Sequence, residues 1–367
     1  MDIIYIHKDK FQKRPPVINT VMILSDLGHK ITVIDEEISD YWKDIFQKKD
    51  IDYFEIKRED NPSKLGKIIN YLAFRYKTYK IINKGHKKKH QITLWIEGAQ
   101  TILALGKKIN NYRHILQIQE LHENSRIQLN AIRKVINTAD YVFMPEYVRS
   151  LIYKIWFNLK KDPILLPNKP YILPSINECN IILKQYENIL KEIKGKKIIL
   201  YQGGISYERK IDVIAQAINK LGPNYHLLLV GKEGSSGYVG NLRNITKQLT
   251  HIDYIPSPNY LAFCSIAFLG VVFYDINSLN NIFCAPNKIF EYSAYKIPMI
   301  GNNIPGLRET IEANGAGLCI DLNNTEEIVK SIHLIENNYE KFKEKAYLFY
   351  NSVDNKKTIF NCIGGNP

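Results

Sequence analysis

Cysteine is scarce in this 367-residue chain, and the five present (Cys179, Cys264, Cys284, Cys319, Cys362) lie far apart with no CxxC pair. That excludes a disulfide scaffold and a zinc knuckle, and it fits a reducing compartment. Long apolar runs are lacking too. The longest uncharged apolar stretch, Leu261 to Tyr274, has 14 residues, short of the ~18–20 that span a bilayer, so no transmembrane helix is expected. The opening Met1-Asp2-Ile3-Ile4-Tyr5-Ile6-His7-Lys8 reaches charge after one short apolar run. It is too brief for a signal peptide, and the expected location is the cytoplasm. No repeat of fixed period and no low-complexity tract beyond a local lysine run is present. No carboxylate or histidine cluster has metal-ligand spacing, and no metal is expected. With 45% hydrophobic and 24% charged residues, the disordered, collagen-like and coiled-coil classes fall away.

Acid is outnumbered by base, 37 Asp and Glu against 50 Lys and Arg, for a formal net charge of +13. The excess is concentrated: between Asn61 and His114, 12 basic residues face a single acidic one, Glu97. There Leu65, Ile68, Ile69, Leu72, Ala73, Tyr76 and Tyr79 recur at helical spacing, interleaved with lysines and followed by Lys87-Lys88-Lys89. The pattern predicts a basic amphipathic helix. One reading is a solvated helix packing one face on its own domain. The other is a surface over residues 64–89 peripheral to the cytoplasmic membrane, drawn to anionic lipid headgroups, where each lysine contributes ~1 kcal/mol. No nucleic-acid motif is present, and nucleic acid is not an expected partner.

The length suits two domains. Short apolar runs alternate with longer helical patterns, which predicts parallel strands with crossover helices, twice over. Ile3–Ile6, Lys30–Ile34, Ile92–Ile96, His114–Gln119 and Tyr141–Met144 read as strands of the first half, and Ile18–Leu27 as a helix closed by Gly28-His29. Lys197–Tyr201, His226–Val230, His251–Ile255, Phe268–Phe273, Met299–Gly301 and Gly317–Ile320 read as strands of the second. Helices are expected between them, among others at Lys210–Leu221, Val239–Leu249, Pro258–Ala262 and Lys288–Ala294. The Pro-rich stretch Pro163–Pro174 cannot continue a helix and reads as the linker. The expected fold is α/β, two Rossmann-like doubly wound domains facing a central cleft, with ligands at the carboxyl ends of the strands. The expected domains are 1–170 and 171–340, with 341–367 a helical tail crossing back to the first.

Two segments carry chemistry. Tyr201-Gln202-Gly203-Gly204-Ile205-Ser206-Tyr207-Glu208-Arg209-Lys210 follows a predicted strand and opens a helix. Gly203 and Gly204 let the backbone approach a ligand closely, and Arg209 and Lys210 stand near the positive end of a helix dipole, as an anion site requires. A strand-to-helix turn also needs glycine for its conformation alone. In the second segment, Ala285 to Ile300, Pro286 and Asn287 sit where a helix begins, so its unpaired N–H groups can meet phosphate oxygens, with Lys288 adding charge. One turn on, Glu291 can accept both hydroxyls of a ribose diol. A solvated helix glutamate is the plainer fate of a lone Glu.

The GG…RK turn, the run Leu227-Leu228-Leu229-Val230-Gly231, the PNKIFEYSAYKIPMI segment, Asn303-Ile304-Pro305-Gly306-Leu307-Arg308-Glu309 and Gly315-Ala316-Gly317 come in an order and spacing that resembles glycosyltransferase family 4, the glycosyl transferases group 1. The resemblance covers roughly residues 195–340 strongly and the first half more loosely. It implies the two-domain GT-B fold, an acceptor-binding first domain and a second domain that holds a nucleotide-diphosphate sugar. It places Arg209 on the diphosphate and Glu291, as second glutamate of an E-x7-E motif, on the ribose. Tyr254 and Ile255 resemble the turn that lies against the base. Glu120-Leu121-His122-Glu123 resembles the family's D-x-H-E turn, which puts His122 over the transfer centre with Glu120 and Glu123 as secondary catalytic candidates. Ile164 to Pro170 resembles the family's transition into the second domain. There are departures. Phe283 stands where the first motif glutamate belongs, and Pro15 and Pro16 replace the usual double glycine.

The function so implied is retaining, metal-independent transfer of a hexosyl group from a nucleotide-diphosphate sugar to a saccharide or lipid-linked acceptor, in bacterial surface polysaccharide biosynthesis. No cofactor is expected, and the donor, a co-substrate, is expected to be a UDP- or GDP-sugar. The alternatives are a nucleotide-sugar epimerase or hydrolase and, because of Phe283, a non-catalytic partner subunit of the same fold.

Overall fold

The protein was analysed as a computed structural model, which describes residues 1–58, 63–85 and 92–365. The chain divides into two units, Met1–Tyr171 with the segment from Asp354 onward, and Ile172–Val353.

In the first unit, β1 (Asp2–His7), β2 (Lys30–Asp35), β3 (Asp52–Glu55), β4 (Ile92–Glu97), β5 (Arg113–Gln117), β6 (Tyr141–Met144) and β7 (Ile164–Leu165) form one parallel sheet in the order β3-β2-β1-β4-β5-β6-β7. Between them run α1 (Pro15–Asp26), α2 (Asp40–Lys48), α3 (Lys64–Gly85), α4 (Ala99–Leu105), α5 (Arg126–Arg133) and α6 (Tyr147–Phe157). The central strands are continuous apolar runs because both faces are covered. Ile4, Ile6, Leu94, Ile96 and Leu116 point into one core. On the alternate positions Tyr5, Trp95 and Phe143 stack in a row, with centroids 6.2 and 5.1 Å apart. Pro15 and Pro16 occupy the first turn of α1, where a missing N–H is harmless. Gly28, at φ +75°, makes the turn after it.

In the second unit, β8 (Lys197–Gln202), β9 (Tyr225–Val230), β10 (Leu249–Ile252), β11 (Leu269–Val272), β12 (Met299–Asn302) and β13 (Gly317–Ile320) form a parallel sheet in the order β10-β9-β8-β11-β12-β13. Its helices are α7 (Ile176–Lys184), α8 (Glu187–Leu190), α9 (Ile211–Leu221), α10 (Tyr238–Ile245), α11 (Leu279–Ile282), α12 (Asn287–Ala294), α13 (Pro305–Leu307), α14 (Thr325–Asn337) and α15 (Tyr339–Ser352). The period of two along each strand feeds two cores, Ile199, Tyr201, Leu227 and Leu229 on one face and Leu200, Leu228 and Val230 on the other. Both units are therefore Rossmann-like α/β folds.

Several details differ from the sequence expectation. The Pro-rich stretch is not all linker: Ile164–Leu165 pairs with β6 as an edge strand, and the first unit continues to Tyr171. The edge strand β3 escapes prediction because Tyr53 and Phe54 are exposed and carry no inward alternation. The helix expected over Val239–Leu249 stops at Ile245, and β10 already begins at Leu249. Of the 341–367 tail, α15 packs in the second unit, where Phe349 stacks on Phe290 at 5.0 Å. The return to the first unit begins at Asp354, whose carboxylate caps α16 (Asn355–Ile363) by accepting from the Lys357 N–H at 2.9 Å. The lysine run Lys87–Lys89 lies outside the described residues.

Candidate active site

Strand order locates the second unit's site. The chain leaves β8 toward β9 on one side, while β11 lies on the other, so β8 and β11 flank the topological switch point where a ligand meets strand ends. Beyond β8 comes Gly203 at φ +119°, and beside it Gly231 at φ +147° after β9. A Cβ on Gly231 would collide with the Gly203 carbonyl, and one on Gly203 would sit 3.3 Å from the Lys288 side chain. Glycine is required here by close approach as well as by conformation. Gly204 has open space around its Cα, and its carbonyl accepts from the Tyr201 hydroxyl at 2.8 Å.

The loop then makes a 3-10 turn, Tyr207–Arg209, and enters α9 through Lys210 at φ +48°. This turn throws the Arg209 guanidinium over the ring of Tyr274, 4.2 Å from its centroid. Tyr274 follows β11 and is held by Asn302 at the end of β12, which accepts from its N–H at 3.0 Å and donates to its carbonyl at 2.9 Å. Lys288, on the first turn of α12, brings its ammonium to 4.6 Å from the Tyr201 centroid and 5.7 Å from that of Tyr274. Two cations thus share one aromatic floor, and neither belongs to any of the ion pairs formed among the described residues. The Arg209 Nη1 is buried without a hydrogen bond. Burial, followed by repulsion from Arg209, pushes Lys288 down to about 7. Pro286 precedes α12 as its N-cap and supplies no side-chain cap, so the N–H groups of Asn287 and its neighbours stay available.

Glu291 lies behind this pair. It is buried, and each of its oxygens already accepts one bond, from the Gln202 amide at 2.8 Å and from the Tyr260 hydroxyl. Burial raises its pKa, against those two hydrogen bonds and the charge of Lys288. Gln202 is fixed in turn by the Cys264 thiol, which donates to its Oε1 at 3.4 Å. A ribose diol would use the second lone pair of each carboxylate oxygen.

The structure therefore gathers Arg209 and Lys288 on Tyr274, with Gly203 and Glu291 beside Lys288. The Lys210 side chain is exposed outside this group. Tyr254 stands half-exposed after β10, and the Ile255 side chain is packed in the core, leaving only its backbone for a ligand. Phe283 closes α11, and its carbonyl carbon would lie 3.0 Å from a Cβ on Gly306. Sequence reasoning missed Tyr201, Gln202, Tyr260, Tyr274 and Asn302. For all but Tyr260, which lies in the 3-10 helix Asn259–Ile266, the usable signal was a tyrosine or amide at or just past the end of a buried strand.

In the first unit, His122 follows β5 in a left-handed conformation, φ +60°, which strains a residue with a Cβ and is characteristic of functional turns. The turn is over-determined. Tyr153 donates to the carbonyls of Glu120 and Leu121 at 3.0 and 3.1 Å, and the Ser125 N–H bonds the His122 carbonyl at 2.8 Å. Burial lowers the His122 pKa, Glu120 and Glu123 oppose, and Arg149 adds to the lowering. The imidazole is thus biased neutral near pH 7, suited to hydrogen bonding. A second cluster, also missed, lies at this sheet's own switch point between β1 and β4. The His7 Nδ1 bonds Asp35 at 2.8 Å, and burial lifts Glu97 to about 7. Among the described residues no three His, Cys, Asp or Glu side chains converge as a metal-binding group.

Comparison with known proteins bears on the family and the fold. Residues 184–349 match the family model of Glycosyl transferases group 1, the resemblance read from the motifs. An uncharacterized glycosyltransferase of Haemophilus influenzae is 28% identical over 186 residues. That match spans 47% of this chain and 48% of the relative, so the chain covers about half the relative's length. Among solved structures, Anabaena Alr3699/HepE in complex with UDP-glucose superposes with a TM-score of 0.73 at 13% identity, over 99% of this chain and 98% of that one. WaaG, a glycosyltransferase involved in lipopolysaccharide biosynthesis, gives 0.66 at 13%, over 99% and 100%. At such identities these likenesses show the fold.

Proposed function

We propose that the protein is a retaining, metal-independent glycosyltransferase of the family 4 branch. It moves a hexosyl group from a nucleotide-diphosphate sugar to a saccharide or lipid-linked saccharide at the cytoplasmic face of a membrane, in the assembly of a bacterial surface polysaccharide. The carrying observation is the pair Arg209 and Lys288, two cations on one tyrosine ring and outside the ion pairs formed among the described residues, at the strand-end switch point and the start of α12, which has no side-chain cap. As the anomeric C–O bond breaks, negative charge grows on the departing diphosphate, and this fixed array stabilises it without reorganising. Glu291 holds the ribose. His122, biased neutral, hydrogen-bonds the donor sugar or positions the acceptor hydroxyl. The Anabaena complex favours a UDP-sugar as donor, and the lipopolysaccharide enzyme favours the process. Retention rests on the motif resemblance.

One observation favours a second reading: Phe283, in place of the first motif glutamate, removes a donor-sugar contact, as a non-catalytic partner subunit would tolerate. An epimerase or hydrolase would bind the same donor. The deciding experiment is thermal unfolding with UDP, GDP, ADP, TDP and CMP, repeated with Arg209→Ala and Glu291→Ala, followed by product analysis with the nucleotide sugar that binds. A ligand near 100 times its Kd stabilises by ~2.7 kcal/mol, a rise of several degrees. A rise with one diphosphate, lost in both variants, and turnover that requires an added acceptor support the transferase. Binding without turnover supports the partner subunit, and turnover without acceptor supports the epimerase or hydrolase. No rise with any nucleotide sinks the donor site.

A further inference from the structure

α3 buries one face and carries an exposed apolar stripe on the other. Gly66, Asn70, Phe74, Thr78 and Ile82, spaced by four, are buried against the first unit's core. On the other side Leu65, Ile68, Ile69, Leu72 and Tyr76 form a stripe over three turns, every one of them 48–68% exposed. A helix with a single partner keeps one apolar face and turns a polar one outward. Here the outward face is apolar, and no described element covers it.

Charge decides what does. From Ser63 to Gly85 and from Ala99 to Asn111 there is no Asp or Glu. Lys77, Lys80 and Lys84 continue α3 beyond the stripe, and Lys107 and Lys108 project from the 3-10 turn after α4, all exposed. Lys80 lies 5.9 Å from the ring of Tyr76, a member of the stripe, and Lys108 5.3 Å from that of Tyr79, which is buried on the same helix. The Arg75 guanidinium anchors the helix to α4 by donating to the Leu103 carbonyl at 3.1 Å and to that of Ala104. A second copy meeting this patch through itself would set lysine against lysine. An occupant that is apolar in depth and negative at its surface suits both halves.

We infer that α3 lies in the interface of an anionic lipid bilayer, with Leu65, Ile68, Ile69, Leu72 and Tyr76 entering the acyl boundary and the five lysines on the headgroups. This deepens the membrane-face reading of the proposed function and rests on it only for its purpose. The helix lies on the membrane and does not span it, in keeping with the lack of any described helix long and apolar enough to cross.

The test is co-sedimentation of the full chain, without nucleotide, on vesicles of phosphatidylcholine alone or mixed with phosphatidylglycerol. The expected result is partition at least about tenfold stronger on the mixed vesicles, falling with salt, since each surface lysine is worth about fivefold. Ile68→Glu with Leu72→Glu lowers partition by more than about tenfold. Lys77→Ala with Lys80→Ala and Lys84→Ala lowers the preference for phosphatidylglycerol by more than about tenfold, with Lys107 and Lys108 retaining the rest. These side chains are exposed, and an unchanged unfolding midpoint confirms that both variants fold. Equal partition on the two vesicles, or partition indifferent to the glutamate pair, overturns the inference. So does a dimer in sedimentation velocity that the glutamate pair dissolves while vesicles capture nothing, because the occupant is then a second copy. Nucleotide binding is measured separately, so either proposal can fail alone.

Discussion

Lys288 offers the sharpest test of the donor site. In the free protein, burial and the adjacent Arg209 hold its ammonium down to about 7, against an ordinary 10.5. A diphosphate between the two cations reverses the repulsion and raises that pKa, so binding above pH 7 must take up the missing proton. With a bound-state pKa well above the range, affinity falls about fifteenfold between pH 7 and 8.5, approaching tenfold per pH unit at the upper end, and only about twofold between pH 6 and 7. The assay is calorimetry with the nucleotide-diphosphate sugar that gives the largest thermal shift, in buffers of differing ionisation enthalpy. The ligand's diester diphosphate does not titrate in this window, so the proton belongs to the protein. At about pH 8 the uptake should be close to 0.9 proton per site. Lys288→Met should bind weakly at every pH and take up none. The ligand-free proteins supply a check of opposite sign. Between about 7 and 10.5 the unfolded state binds the extra proton, so Lys288 makes wild-type stability rise with pH across that window. Lys288→Met should therefore unfold at a higher temperature than wild type below pH 7. Affinity that is flat from pH 6 to 8.5 with no proton uptake refutes the placement of the diphosphate on Lys288.

Arg209→Ala should weaken the same ligand by about ten- to hundredfold, the loss of a charged hydrogen bond, while Arg209→Lys, which keeps charge without the planar stack on Tyr274, should fall between; equal affinities for the three proteins would contradict the geometry. Gln202→Leu leaves one oxygen of Glu291 unpaired and should destabilise by about 1–3 kcal/mol in urea unfolding, much of it recovered when Glu291→Leu is added; a strictly additive pair would show that the two do not share a bond. The pKa of Glu97 is raised by burial to about 7, so its favourable contribution is complete below the unfolded value of about 4.5 and is lost as pH rises through 7. Glu97→Gln should accordingly unfold at a higher temperature than wild type at pH 8 and lose its advantage at pH 5. Replacing His122 by Gly removes a strained positive φ and should stabilise by about 1 kcal/mol while stopping transfer; His122→Ala should stop transfer with no such gain. Full turnover in either variant would remove His122 from the reaction.

The sequence carried the sheets because their central strands are buried on both faces and therefore written as unbroken apolar runs. Leu227 to Val230 is one, and it forms β9. Strands at the margin were invisible for the converse reason: β3 exposes Tyr53 and Phe54, and β7 is two residues in a proline-rich stretch. In the site, Gly203, Arg209, Lys288 and Glu291 were legible because glycine, charge and position after a strand or at a helix start restrict what a residue is for. Tyr274, Gln202 and Tyr260 were not. A tyrosine ending the run Val271 to Tyr274 reads as one more strand former, and only the strand order, which sets β11 beside β8, turns it into the floor under two cations. The two faces of α3 illustrate the same limit. Spacing predicted a helix with an apolar stripe, but which apolar residues face the core depends on the helix's rotation, and Leu65, Ile68 and Tyr76 proved to face away from it.

The free energy stored in the donor site bears on the partner-subunit reading. A buried ammonium beside a guanidinium is unfavourable as it stands, and the orphaned Arg209 Nη1 adds a lost hydrogen bond. A scaffold with nothing to bind would gain stability from methionine or leucine at either position, with the aromatic floor unchanged. On the proposed function Phe283 would weaken contact with the sugar, but it leaves Arg209, Lys288, the start of α12 and Glu291 in place, which are the groups that would meet diphosphate and ribose. On that reading the two observations separate the donor into halves: diphosphate and ribose have candidate partners in place, and the sugar would depend on groups outside the usual glutamate. An accessory subunit would have no use for the first half. An enzyme of altered sugar preference would show this combination, with nucleotide affinity intact and the departure confined to the loop between α11 and α12.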